Sequence, residues 1–73
     1  MKRYIVNISV YDKPQFDGEF NFLTLREACS KVRANLDCLC NEADAVKELL
    51  TSSKLHYWND NNDGQASIES KQT

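Results

Sequence analysis

The chain has few of the residues that bend or break a backbone. It holds one proline, Pro14, and two glycines, Gly18 and Gly64, and neither residue type falls between Gly18 and Gly64. A phosphate-cradling loop needs several closely spaced glycines, so that chemistry is absent. There is one histidine, His56, and one tryptophan, Trp58. A single histidine leaves no imidazole cluster for a metal. No apolar run approaches the roughly 20 residues of a membrane-spanning helix. Met1-Lys2-Arg3 is basic, but Tyr4 to Val10 alternates apolar and polar residues and does not form the apolar core of a signal sequence. The three cysteines are an odd number. They read as reduced thiols packed as small hydrophobes, which places the chain in the cytoplasm.

What is present suits one small globular domain. A chain of 73 residues buries only about 60% of its unfolded surface, too little for a deep enclosed active site. The net charge is -2 and unevenly spread. Residues 1–36 carry six Lys/Arg against four Asp/Glu, and residues 37–73 carry three against seven. A weakly acidic chain lacks the field of a general nucleic-acid binder.

The hydrophobic pattern is organised around Thr24 to Leu50. Apolar residues at Leu25, Ala28, Cys29, Val32, Leu36, Leu39, Cys40, Ala43, Val46 and Leu50 keep a helical period. Thr24 and Glu27 form a capping-box pair at its start. Two readings of its extent stand side by side. One is a single long or kinked helix to about Ser52, whose uncovered end a second copy would cover. The other is a break near Asn41, which with Glu42 and Asp44 behind it reads as a fresh N-cap.

Strands flank this helical region. Residues 3–11 alternate, with Tyr4, Val6, Ile8 and Val10 on one face. Turn chemistry follows at Asp12-Lys13-Pro14-Gln15 and Asp17-Gly18, and Phe20 and Phe22 share a face of a second strand. After the helical region, Lys54 to Trp58 sets Leu55 and Tyr57 against His56 and Trp58. Asn59 to Gly64 is a turn, and Ala66 and Ile68 mark a last strand. The fold class is α+β: a hairpin, a central helix or helix pair, and a second hairpin, with an antiparallel sheet on one side of the helix. The domain spans 1–69, with a frayed tail at 70–73.

No residue set completes a catalytic or metal signature. Asn59 to Gly64 resembles the start of a calcium loop, but position one is Asn59 and position twelve is Ser70, where that loop needs Asp and a bidentate Glu. Cys38-x-Cys40 with His56 is too few ligands for zinc, and on a helix the two thiols would point apart. Cys29 and Cys40 fall on the apolar face, and Cys38 is the thiol nearest solvent. No cofactor is expected, and an enzyme is the weakest reading.

The residues that read as functional are those of a binding surface. His56, Tyr57 and Trp58 cannot all face the core, because neighbouring strand residues point to opposite sides. Glu42, Asp44, Glu48, Asp60 and Asp63 gather negative charge in the same half of the sequence. Together they suggest docking on a basic surface of a larger protein or nucleoprotein complex, with no membrane partner. A second reading is a small nucleic-acid-binding or regulatory protein that uses Lys2, Arg3, Tyr11, Lys13 and Lys31. The hairpin–helix–hairpin layout and small size resemble those of phage-encoded inhibitors of host defence complexes, some anti-CRISPR proteins among them. The likeness is one of layout alone, carried by no motif. It implies a non-enzymatic inhibitor that masks a nucleic-acid-binding surface, such as that of a CRISPR effector.

Overall fold

Alternation in the first and last thirds of the chain produces one four-stranded antiparallel sheet, and the helical region between them covers one of its faces. The computed structural model describes residues 2–72, and of Phe16 the backbone only. The elements run β1 (Lys2–Val10), a short 3-10 turn (Pro14–Phe16), β2 (Gly18–Phe22), α1 (Leu25–Asn35), α2 (Glu42–Leu49), β3 (Lys54–Trp58) and β4 (Gly64–Gln72). The strand order is β2-β1-β4-β3. The first and last strands therefore form the centre of the sheet, from Lys2 opposite Gln72 to Val10 opposite Gly64. The tail expected to fray from Ser70 is instead strand up to Gln72, because the long β1 offers it partners at Lys2, Arg3 and Tyr4.

The inward face follows the alternation. Val6, Ile8, Val10, Leu55, Ala66 and Ile68 are buried against Leu25, Ala28, Cys29, Val32, Leu36 and Ala45, with Tyr4, Phe20, Phe22 and Tyr57 packed at the margin. Among the described residues, no helix lies on the other face of the sheet.

The helical region is two helices, not one. A single 27-residue helix would be about 40 Å long, whereas the whole molecule measures 35 × 20 × 17 Å. α1 ends at Leu36, whose backbone turns extended (φ -127°, ψ 147°) and whose side chain is buried. The chain then crosses to Asn41, which caps α2: its Oδ1 accepts from the Asp44 amide at 2.9 Å and its Nδ2 donates to the Asp44 carboxylate at 2.9 Å. The break resets the helical phase. Leu39, Val46 and Leu50, read as core from the period, are exposed, and Leu39 is 95% so. The split also removes the uncovered helix end for which a second copy was expected.

Thr24 caps α1 as its spacing predicts, accepting from the Glu27 amide at 3.2 Å. The reciprocal half of the box differs. The Glu27 carboxylate accepts from the Thr24 hydroxyl at 2.8 Å, where the sequence suggested the Thr24 amide.

The second turn is held by Asn59, Asn62 and Asp63. Asn62 supplies the left-handed residue, with φ 57°. Asn59 Nδ2 donates to the Asp63 carboxylate, and the Tyr11 amide donates to the Asp63 carbonyl at 2.9 Å. Gly64 follows at a point of close approach. A Cβ there would lie 2.9 Å from Leu36 Cδ2 and 3.2 Å from the Ser9 carbonyl oxygen, so no larger residue fits without movement.

Candidate interaction surface

β3 is an edge strand, and its two faces differ. Leu55 is buried and Tyr57 half-buried toward the helices, while His56 and Trp58 project from the bare face of the sheet. Their rings lie nearly parallel, with centroids 6.4 Å apart and 19° between planes. Trp58 is 55% exposed. An open trough of about 240 Å³, of mixed polar and apolar lining, runs from His56 along Asn7, Ser9, Gln65 and Ser67. Strand alternation thus sets Trp58 outside and Tyr57 inside.

The register fixes where the backbone of β3 points. The Ser70 amide donates to Ser53 O and the Asn59 amide to Gly64 O, each at 3.0 Å. Bonded pairs alternate along an antiparallel ladder. Leu55 and Tyr57 therefore bond to β4 through Ile68 and Ala66. Lys54, His56 and Trp58 turn their N–H and C=O groups outward. The Lys54 carbonyl accepts from Ser52 Oγ at 3.0 Å. Among the described residues, nothing bonds the outward backbone groups of His56 and Trp58.

On the helix side this edge is bordered by the α1–α2 connection. The Asp37 amide donates to Asn59 Oδ1 at 2.8 Å, and the Asp60 amide donates to the Asp37 carbonyl at 3.2 Å. These bonds bring Asp37 beside Asp60, and both carboxylates act on the Cys38 thiol between the helices. Leu39 comes next in the connection and stands out into solvent. Further along, Glu48 of α2 is near enough to act on the Tyr57 hydroxyl.

The expected acidic set is divided by this geometry. Glu48 and Asp60 lie by the β3 edge. Asp44 is occupied in the α2 cap, and Asp63 in the turn. Glu42 is at the far end of α2, 3.9 Å from Arg26. Asp37 carries no signal in the sequence beyond an acid shortly before the Asn41 cap, and the helical period that assigns Leu39 to the core hides it.

The basic set is scattered. Lys2 and Arg3 begin β1, and Tyr11 and Lys13 follow its other end. Eight residues of strand separate Arg3 from Tyr11, about 26 Å. Lys31 lies over the Phe20 ring, 4.3 Å from its centroid.

The cysteines and His56 do not converge. Cys29 and Cys40 are buried under the sheet and Cys38 is half-buried, while His56 is on the opposite face. Cys38 and Cys40 lie in the connection between helices, so the helical angle used in the sequence argument does not apply. The sheet itself keeps the imidazole from the thiols. Among the described residues, no group of three or more His, Cys, Asp or Glu is placed to hold a metal. Burial pushes the Cys29 thiol up to about 12, with the adjoining Cys40 adding to the effect. Burial and Cys40 likewise raise the Tyr57 hydroxyl.

Set against known proteins, the chain matches no family model, no curated protein and no solved structure. No helix among the described residues is long and apolar enough to cross a membrane.

Proposed function

We propose that this protein is a non-enzymatic interaction module that docks through its second hairpin on a larger protein or nucleoprotein complex and masks a basic surface there. The observation that carries the reading is Trp58. It is 55% exposed on an edge strand, beside His56, on a sheet face that no helix covers. A small domain with a thin stability margin gains nothing from an exposed indole, and tryptophan is among the residues that dominate binding hot spots. Asp37, Glu48 and Asp60 stand on the helix side of the same strand. They would steer the protein toward positive charge, as on the nucleic-acid cleft of a larger complex. Masking such a cleft is the role implied by the resemblance of this layout to that of small phage inhibitors of defence complexes.

Binding kinetics against a partner captured from the native host test this reading, after melts show that each variant folds. Trp58→Ala is expected to weaken binding by about 2 kcal/mol or more. Asp60→Lys is expected to slow association, with an effect that shrinks as salt rises. Normal binding by both, with loss in Arg3→Ala or Lys31→Ala, would transfer the function to the basic residues and to nucleic acid.

A further inference from the structure

We propose that the partner binds by adding a strand to the free edge of β3, and that the added segment is extended, with basic side chains on one face and apolar side chains on the other. This rests on the interaction-module reading and names its binding mode.

Three features support it. First, the outward N–H and C=O groups of His56 and Trp58 have no partner among the described residues, and the outward N–H of Lys54 is likewise unbonded. Main-chain pairing with such a row is what gives strand addition its affinity. Second, the edge has a different lining above and below. An incoming strand alternates its side chains between two faces. Those on the bare face would meet His56 and Trp58. Those on the helix side would meet the carboxylates of Glu48 along the strand and of Asp37 and Asp60 at its Trp58 end. Apolar residues suit the first lining and basic residues the second. Third, the edge lacks most of the features that block pairing. It has no proline and no bulge, and Lys54 at one end is its only cation. The other free edge, β2, has Lys31 folded over Phe20.

The test uses blocked synthetic peptides on the intact protein, followed by amide NMR. One peptide alternates lysine and valine. A second replaces lysine with glutamate. A third is the lysine peptide with alternate amides N-methylated, so that it cannot complete a ladder. The lysine peptide is expected to bind, and to slow exchange of the His56 and Trp58 amides while leaving Leu55 and Tyr57 unchanged. The glutamate and N-methylated peptides are expected to bind about tenfold more weakly or worse, the loss of one or two hydrogen bonds or charge contacts. His56→Pro gives a second check. Its N–H faces outward, so the variant is expected to keep the fold and lose the peptide.

Equal binding by the N-methylated peptide would overturn strand addition, as would shifts confined to Asn7, Ser67 and the open trough. So would exchange protection of His56 and Trp58 that appears with protein concentration alone, because the occupant would then be a second copy. Failure of the lysine peptide to bind would overturn the basic, extended occupant. None of these results decides the wider reading, which stands or falls on Trp58→Ala against the captured partner.

Discussion

Asp37 and Asn59 hold the helices to the second hairpin across 22 residues of sequence, through a 2.8 Å bond from the Asp37 amide to Asn59 Oδ1. The Asp60 amide closes the link by donating to the Asp37 carbonyl at 3.2 Å. Asn59 also donates to Asp63 within the turn. One side chain thus fixes the turn, the crossing between helices and the two acids that border the β3 edge.

Replacing Asn59 with alanine removes the bonds that its side chain makes with the Asp37 amide and the Asp63 carboxylate at once. Each is partly exposed, and each contributes about 0.5–1.5 kcal/mol. The expected loss in Asn59→Ala is about 1–3 kcal/mol in denaturant melts. Asn61→Ala, two residues on and exposed, is expected to stay within about 0.5 kcal/mol of the parent. Equal effects from both would mean that the Asp37 link adds nothing.

Gly64 and Leu36 meet so closely that their substitutions should not add. Leu36→Ala is expected to cost about 2–5 kcal/mol as a buried truncation. Gly64→Ala is expected to cost about 1–3 kcal/mol by overpacking, since its new methyl would press on Leu36 Cδ2 and the Ser9 carbonyl. In the Leu36→Ala background the methyl enters the vacated space, so Gly64→Ala should cost less there. A double-mutant cycle with no coupling would contradict the contact.

Stability should fall in alkali as the buried thiol is drawn out of its protonated form. Cys29 rises from 9.0 to about 12 on folding, so the folded state holds that proton more firmly. Its contribution is whole below pH 9.0 and is lost as pH climbs toward about 12. Tyr57 is raised as well and adds a loss of the same sign. Melts under reductant should show a shallower alkaline decline in Cys29→Ala. The same slope in parent and variant would mean that the thiol is not held neutral by burial.

Among the three thiols, Cys38 should react first with an alkylating reagent, since Cys29 and Cys40 are buried and Cys38 is not fully so. It should still react more slowly than a free thiol, because burial and then the nearby Cys40, Asp60 and Asp37 raise its pKa. Peptide mapping after a short exposure gives the order. Earlier labelling of Cys29 in the folded protein would contradict the assigned core.

The fold was largely legible where its signals were local. Thr24 and Asn41 cap helices because an oxygen and an amide a few residues away can meet whatever the tertiary context. Alternation placed Leu55 and Tyr57 on one face and His56 and Trp58 on the other because the strand period is strict. The rest depended on contacts distant in sequence. The apolar period ran through Leu39, Val46 and Leu50 without a slip, yet Leu36 leaves the helix to pack against Gly64. Ser70 to Gln72 looked like a tail because nothing local marks them as strand, and pairing with β1 makes them so. The candidate surface was legible in the same measure. Trp58 and His56 stood out by composition, whereas Asp37 reaches it only through the fold of the connection.

Amide hydrogen exchange of the free and partner-bound protein reads out whether partners meet it along β3. The expected result is new protection at His56 and Trp58 in the complex, with Lys2, Arg3 and Lys13 exchanging as before. Protection at Lys2, Arg3 or Lys13, with His56 and Trp58 unchanged, would contradict it.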